Sequence, residues 1–270
     1  MRLTRLVRSV FHAVGLDLTR YTPPGPPAPP PPSADQQAFA ALLRLKHQSA
    51  DDEAQCFLTF CAAHLHESQA QLLQDLFVQY QLGEQRGGYF VEFGATDGRT
   101  INNTYALEHT WGWTGIVAEP ARAWHPALKA NRPHCAIDTR CVWSTSGESL
   151  IFNEVVAAPE YSTIDAYSAG DMHRTLRGQG TAYLVETVTL HDLLAEHQAP
   201  RRIDYLSIDT EGSELAILQA FDFTAWDIGL LTVEHNYTPA REALHALLIA
   251  QGYTRRFPEF SRFDDWYVRA

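Results

Sequence analysis

The sequence that decides the fold runs Tyr89-Phe-Val-Glu-Phe-Gly-Ala-Thr-Asp-Gly98. Its first five residues, Tyr89–Phe93, are β-prone and apolar except for Glu92, which predicts a buried strand. Gly94 and Gly98 follow, and glycines after a strand permit a tight turn and a close approach of the backbone to a ligand. Because the spacing is not GxGxxG, the dinucleotide fingerprint is excluded. The stretch therefore predicts an α/β sheet whose first loop binds a ligand that lacks a pyrophosphate.

Strands alternate with helices from residue 88 onward. Apolar strands separated by helices favour a mostly parallel, doubly wound sheet with helices on both faces. The link between the last two strands is too short for a helical crossover, so we expect an antiparallel hairpin at or near one edge. Residues 144–202 are long for one connection, and we expect them to carry an extra hairpin and helix over the site. The predicted strands are Tyr89–Phe93, Gly115–Glu119, a stretch around Ala136–Trp143, Ile203–Ile208, Ile228–Glu234, Tyr253–Phe257 and Trp266–Arg269, and the predicted helices are 102–110, 121–131, 213–220 and 239–250.

The chain before this α/β domain, which we place at residues 87–270, divides into three segments. Residues 1–20 carry four arginines against one aspartate and place their apolar side chains on one helical face, which predicts a basic amphipathic helix. Residues 21–33 are rich in proline and predict an extended linker. Residues 34–86 have the apolar spacing of helices and form a helical lead-in.

Charge and cysteine content limit the classes of function. The net charge of the 270 residues is −11, which argues against nonspecific binding of nucleic acid. The cysteines Cys56, Cys61, Cys135 and Cys141 have no zinc-site spacing and are expected to be free thiols in the cytoplasm. No apolar run approaches the roughly 20 residues of a transmembrane helix. The basic N-terminal helix predicts contact with a protein partner or with anionic lipid at the inner face of the membrane; the alternatives are that it folds back on the body or stays unstructured.

Acidic side chains stand at the ends of three predicted strands. Glu119 ends the second strand, where a carboxylate either accepts hydrogen bonds from ribose hydroxyls or caps the next helix. Asp209 and Glu211 follow the fourth strand, and Glu234 and His235 end the fifth. Because the carboxyl ends of parallel strands meet at one edge, we expect the four groups of these two adjacent strands, Asp209, Glu211, Glu234 and His235, around one small volume. Like charges so close require a cation, shared protons or a polar ligand.

Six motifs together identify a family. They are Tyr89–Gly98, Asn102-Asn-Thr104, Glu119-Pro120, Asp204-Tyr-Leu-Ser-Ile-Asp-Thr-Glu-Gly-Ser-Glu214, Glu234-His-Asn236 and Asp264-Asp-Trp-Tyr-Val268. In combination they resemble the FkbM-type S-adenosylmethionine-dependent methyltransferases over about residues 68–270. The resemblance implies a class I methyltransferase (Rossmann-like) fold, with S-adenosylmethionine (SAM) as cofactor. It also implies methyl transfer to oxygen, on a sugar hydroxyl of a glycan, polysaccharide or glycosylated metabolite.

The resemblance further implies which residues bind SAM. The glycine turn would hold the methionine part, Glu119 the ribose, and the stretch 138–143, with Val142 packing there, the adenine. Either Glu92 or Asp97 would meet the ammonium group, and Asn103 would meet the cofactor carboxylate. The full set implied is Glu92, Gly94, Asp97, Gly98, Asn103, Glu119, Asp138 and Val142.

Methyl transfer to a sugar requires that a weak nucleophile be activated by a base or a metal. His235 is the first candidate for the base, because its unperturbed pKa suits the task; Asp209 is the second, and Glu234 completes the expected catalytic set. Alternatively, Asp209, Glu211 and Glu234 bind Mg²⁺ or Mn²⁺. Two other functions stay open from sequence alone. They are a noncatalytic nucleoside-binding module that tethers a complex, and a metal-dependent nucleotide-sugar transferase.

Overall fold

A computed structural model describes residues 33–49, 51–170 and 172–270. The predicted helix at 1–20 and nearly all of the predicted linker at 21–33 lie outside the described residues. Within the described ranges, no helix is both long enough and apolar enough to cross a membrane.

The central sheet has seven strands: β1 (Tyr89–Phe93), β2 (Thr114–Ala118), β3 (Ala136–Asp138), β8 (Arg202–Ile208), β9 (Asp227–Glu234), β10 (Tyr253–Arg256) and β11 (Asp264–Arg269). Their order in the sheet is β10-β11-β9-β8-β1-β2-β3. The five strands from β9 to β3 pair in parallel, whereas β11 pairs antiparallel with both β9 and β10. This confirms the mostly parallel doubly wound sheet with an antiparallel C-terminal hairpin.

The chain runs outward from β1 in one direction and from β8 in the other, so strand order reverses between these two neighbours. Such a switch point leaves a crevice beyond the carboxyl ends of the strands, where ligands bind in open α/β sheets.

A second sheet arises from the long connection around residues 144–202. Its order is β4-β7-β5-β6, formed by β4 (Cys141–Trp143), β5 (Ser149–Glu154), β6 (Thr163–Ile164) and β7 (Thr181–Thr189). The predicted strand around Ala136–Trp143 is therefore two strands in two sheets. The break falls at Arg140, whose backbone N–H and guanidinium both donate to the Asp138 carboxylate and turn the chain.

The helices surround the central sheet, and the described residues place a helical segment before β1 as predicted. The helices predicted to begin at residues 102 and 121 begin later, at Tyr105 and His125. Before the first of them, the Asn102 side chain accepts the backbone N–H groups of Thr104 and Tyr105 and turns the chain. The helices are α1 (Ala34–Gln48), α2 (Asp52–His64), α3 (Gln74–Gln81), α4 (Tyr105–Trp111), α5 (His125–Asn131), α6 (Arg174–Arg177), α7 (Leu190–Glu196), α8 (Glu214–Ala220) and α9 (Ala240–Ala250).

Aromatic packing joins the helical lead-in to the sheet. Phe57 of α2 stacks on Phe257 with ring centroids 4.6 Å apart, and Phe77 of α3 stacks on Trp266 of β11 at 4.9 Å. All four side chains are buried in one hydrophobic cluster. The lead-in is therefore a layer of the α/β domain's own core.

Candidate active site

A cavity of about 270 Å³ lies at the carboxyl ends of β1, β2, β8 and β9, and the second sheet closes one of its walls. It occupies the point where strand order reverses. Its floor is acidic, with Glu119, Asp209, Glu211 and Glu234 among the lining residues. The expectation that acidic strand ends meet in one volume is borne out.

The glycine turn is shaped by contact between two loops. Gly94 has φ +75°, and a Cβ built on it would lie 1.9 Å from the backbone oxygen of Asp209. Only glycine permits this approach, which packs the loop after β1 against the loop after β8. Gly98 (φ +75°) does not line the cavity; a Cβ there would meet Leu128 and Arg132 at 2.6 Å. The second glycine therefore serves the packing of the turn.

Glu119 faces the cavity immediately beyond β2. Its carboxylate is buried and accepts the backbone N–H groups of Thr96 and Ala121, and burial raises its pKa to about 7. Two apolar side chains beside it, Val142 and Phe152, come from the second sheet and line the same space. A carboxylate next to an apolar wall suits a ribose joined to a flat base.

Glu92 does not line the cavity. Its carboxylate accepts from the side chains of Asn102 and Thr104 and from the backbone N–H of Asn103, and Arg132 lies 3.7 Å away. Burial nevertheless raises its pKa. The structure thus commits Glu92 to holding the chain between β1 and α4, rather than presenting it to the ammonium of SAM.

Three other residues expected at the cofactor also lie outside the cavity lining. Asp97 caps its own turn by accepting from the backbone N–H groups of Arg99 and Thr100. Asp138 is held by Arg140 and His197, and hydrogen bonds from Arg140 outweigh burial and lower its pKa. Asn103, expected at the cofactor carboxylate, donates instead to Ser207 at 3.0 Å.

Asp209 and Glu234 form what we call the acid pair. Their side chains share a hydrogen bond, and burial raises the pKa of both carboxyl groups, with mutual repulsion adding to the shift of Glu234. One oxygen each from Asp209, Glu211 and Glu234 lie within 4.8 Å of one another. Glu211, however, accepts from Arg177 at 2.8 Å and from Asn236 at 3.1 Å. A cationic side chain therefore already balances Glu211, whereas the acid pair faces the cavity.

His235 is turned away from the cavity, which corrects its expected role as base. Successive side chains at the end of β9 point to opposite faces, so Glu234 faces the cavity and His235 faces the other side. Its Nδ1 accepts the backbone N–H of Tyr237 at 3.0 Å, and its Nε2 lies 3.9 Å from Asp265. Burial lowers its pKa. A buried imidazole that does not reach the cavity cannot take a proton from a bound hydroxyl.

The chain between β5 and β7 contributes further site residues. Tyr161 and His173 stack with ring centroids 4.0 Å apart, and both line the cavity. Arg177 is fully buried and also donates to the backbone oxygen of Tyr161 at 2.7 Å. These residues lie within the long 144–202 connection, which the sequence predicted to fold over the site.

Comparison with known proteins gives one family match. The family described as "Methyltransferase FkbM domain" matches residues 92–267, which is more than half of the chain. No curated protein matches the sequence significantly.

Several solved structures are similar in part. An O-methyltransferase from Bacillus cereus in complex with S-adenosylhomocysteine (SAH) is 10% identical, with 97% of this chain and 95% of that chain covered and a TM-score of 0.40. The METTL16 methyltransferase domain is 11% identical, with coverage of 87% and 91% and a TM-score of 0.44. The 1,6-didemethyltoxoflavin-N1-methyltransferase from Burkholderia thailandensis is 14% identical, with coverage of 90% and 92% and a TM-score of 0.35. At these values, the family match is the finding that identifies the chain.

Proposed function

The chain belongs to the FkbM methyltransferase family and is a SAM-dependent methyltransferase; from this membership we propose that it methylates a sugar hydroxyl of a glycan, polysaccharide or glycosylated metabolite. The observation that carries the proposal is the meeting of Glu119 and the acid pair in one cavity. One end of that cavity suits a nucleoside, and the other suits a hydroxyl that must lose a proton.

The residues of the cavity fit SAM in charge and shape. Glu119 is placed to accept from the ribose hydroxyls, and Val142 and Phe152 to pack against the adenine. Gly94 and Thr96 line the cavity where the methionine part would lie. When bound, SAM supplies an electrophilic methyl group on a sulfonium cation. The buried carboxylates whose pKa is raised favour a cation in this space, since a positive charge relieves their repulsion.

We assign the proton-accepting role to the acid pair. A sugar hydroxyl must lose its proton as it attacks, and an ionised carboxylate within hydrogen-bond reach can accept it. Because Asp209 and Glu234 share a hydrogen bond, one partner is held ionised while the other carries the shared proton. The pair thus keeps one basic oxygen at neutral pH, and its position at the ends of β8 and β9 directs the acceptor hydroxyl toward the cavity.

Polar and aromatic lining residues support a sugar as acceptor. The stacked Tyr161 and His173 rings present a flat surface, and Asn236 and Glu211 offer hydrogen-bonding groups beside the acid pair. Sugars bind through such a mixture of ring faces and polar side chains. The test is methyl transfer from SAM to a panel of methyl glycosides, read by mass spectrometry. Absence of transfer to every sugar would refute a sugar acceptor.

A divalent cation is the second candidate at the acid pair, favoured by the 4.8 Å grouping of three carboxylates. Arg177 on Glu211 makes that set less suited to Mg²⁺ or Mn²⁺, which prefer carboxylates without a fixed cation beside them. Activity measured after EDTA treatment and again with added Mn²⁺ separates the two readings. We expect full activity without metal; activity that EDTA abolishes and Mn²⁺ restores would show a metal site.

For the N-terminal segment, we propose contact with anionic lipid, supported by the four arginines of residues 1–20 and their amphipathic spacing. The full chain is expected to sediment with phosphatidylserine-containing liposomes, and a chain lacking residues 1–32 is expected to stay in the supernatant. Equal sedimentation of the two would contradict the proposal.

A further inference from the structure

Left-handed backbone conformations gather at the cavity. Such conformations are unfavourable for residues other than glycine, and most of all for bulky or β-branched ones. Ten non-glycine residues in the described ranges have positive φ. Half of them line the cavity, namely Thr96, Ile101, Glu211, Asn236 and Tyr237.

Four of the ten residues with positive φ are large and apolar, and they fall into two kinds. Phe257 (φ 48°) is buried, and Leu73 (φ 68°) packs against the same core cluster, so packing offsets their strain. Ile101 (φ 49°) is 50% exposed and Tyr237 (φ 56°) is 59% exposed. For this second kind, the strain holds a large apolar side chain out in water at the rim of the cavity. Strain without a packing gain is typical of groups that wait for a ligand.

The two residues flank the acid pair. Ile101 lies in the loop after β1 and Tyr237 in the loop after β9, and these strands stand on either side of β8, whose loop carries Asp209. Met172, also exposed, lines the same cavity. The acidic floor thus has an apolar rim.

A partly buried hydrogen bond fixes one side of this rim. The backbone N–H of Tyr237 donates to Nδ1 of His235 at 3.0 Å, and the two rings meet edge to face with centroids 5.5 Å apart. His235, the first residue after β9, therefore holds the left-handed backbone of Tyr237 in place.

We propose that Ile101 and Tyr237 form an acceptor subsite for a hydrocarbon group, so that the preferred acceptor is a sugar carrying an apolar aglycone. The inference rests on the proposed sugar methylation and specifies its substrate class. Binding such an acceptor would cover the two side chains, and the free energy gained would come from apolar surface removed from water.

The test is binding of matched glycosides to the full chain saturated with SAH. Hexyl and methyl glycosides of glucose, galactose, mannose and rhamnose are titrated by calorimetry. We expect at least one hexyl glycoside to bind about tenfold more tightly than its methyl counterpart, as burial of a short alkyl chain predicts. Equal affinities within every pair would overturn the proposal.

Variants of Ile101 and Tyr237 test whether these side chains cause the tighter binding of hexyl glycosides. Ile101→Asn and Tyr237→Asn replace an apolar side chain by one that tolerates positive φ. Each is expected to reduce the hexyl preference about fivefold or more, while SAH affinity stays the same and the thermal midpoint stays level or rises. Two controls match them away from the cavity: Glu84→Asn, also at positive φ, and Leu184→Asn, also an exposed apolar residue. A hexyl preference retained in both rim variants would overturn the proposal.

Failure of this inference is distinguishable from failure of the proposed function. If methyl and hexyl glycosides are methylated with equal KM, sugar methylation stands and the subsite is wrong. If the hexyl preference appears and the rim variants abolish it, but no glycoside is methylated, the subsite stands and the sugar hydroxyl is wrong.

Discussion

Two groups of carboxylates in this molecule are balanced in opposite ways. In the first, which we call the Arg132 network, Glu92 and Glu108 surround a fully buried arginine that also donates to Asn102 and Thr104. In the second, the acid pair, Asp209 and Glu234 bond to each other and face the cavity.

The difference separates carboxylates that stabilise the fold from carboxylates that can take part in a reaction. Carboxylates with a fixed cation beside them and hydrogen bonds from neighbouring groups hold the chain, because their charge is already balanced. Carboxylates that repel one another in a cavity keep a raised pKa and attract protons or cations. Sequence alone places Glu92 near the end of one strand and Asp209 and Glu234 at the ends of two others; only the contacts show which of these carboxylates are reactive.

The largest expected effect is on turnover by the acid pair. Asp209→Asn combined with Glu234→Gln removes both carboxylates of the pair and should lower kcat by about 10²–10⁴, the usual contribution of a general base, with SAH affinity unchanged. Steady-state kinetics and calorimetry measure the two quantities. Glu186→Gln, on β7 outside the cavity, is the control for loss of a carboxylate elsewhere. A kcat for the double variant within threefold of wild type would show that the proton leaves by another route.

The Arg132 network should respond in stability. Arg132→Met leaves Glu92 and Glu108 buried without their cation, which is expected to lower the free energy of unfolding by about 3–5 kcal/mol in urea titrations. Adding Glu108→Gln to this variant removes one of the uncompensated charges and should recover part of the loss. An Arg132→Met protein as stable as wild type would contradict the assignment of this network to structure.

Glu119 should affect the cofactor more than the reaction. Glu119→Ala is expected to weaken SAH binding about tenfold to hundredfold, since hydrogen bonds to a charged group are lost. Glu119→Gln keeps the size of the side chain and should fall between Ala and wild type. Unchanged calorimetric affinity in both variants would remove Glu119 from the ribose site.

The acid pair and its neighbours should make stability pH-dependent. Burial raises the pKa of Glu119 to about 7 and of Asp264 to about 8, and it also raises that of Glu234. Such groups hold their protons in the folded state and release them when the chain unfolds, so unfolding becomes easier as pH rises. Their stabilising contribution is complete below the unfolded carboxyl pKa near 4 and is lost as pH rises through the folded values.

The urea midpoint of the ligand-free protein should therefore decrease as the pH rises from about 6.5 to about 8.5. The lowered pKa of His235 makes stability rise with pH, but only below this window. Glu234→Gln should make the slope shallower. A midpoint that rises across this window would contradict the raised pKa of these carboxyl groups.

The smallest expected effect on turnover is that of His235→Gln. Because His235 does not reach the cavity, the kcat of the variant should be lower than that of wild type by no more than about threefold, far less than the decrease expected when a general base is lost. The pH dependence of kcat should keep its wild-type shape. A loss as large as that of the Asp209→Asn/Glu234→Gln double variant would reinstate His235 as the base.

The sequence allowed the site to be located because periodicity predicts strand ends. The alternation of apolar strands and helices placed Glu119, Asp209 and Glu234 at one edge of a parallel sheet, and the structure brings them into one cavity. The error at His235 came from assigning adjacent residues to the same side, although side chains alternate at a strand end.

Other parts of the site were beyond sequence reasoning for a physical reason. Glu92, Asp97 and Asp138 are held by local hydrogen bonds, and nothing in residue spacing shows whether a carboxylate is already satisfied. Tyr161 and Arg177 lie in short helical segments between β5 and β7 that have no periodic link to the strand ends. Their approach to the acid pair depends on tertiary packing.

The most direct test of a methyltransferase that uses the acid pair is transfer of a trideuterated methyl group from SAM to the glycoside panel. Product mass and site are read by mass spectrometry for wild type and for the Asp209→Asn/Glu234→Gln double variant, both saturated with SAM. We expect the label on a sugar oxygen with wild type and a rate lower by about 10²–10⁴ with the variant. No label on any sugar, or equal rates for the two proteins, would contradict this function for the cavity.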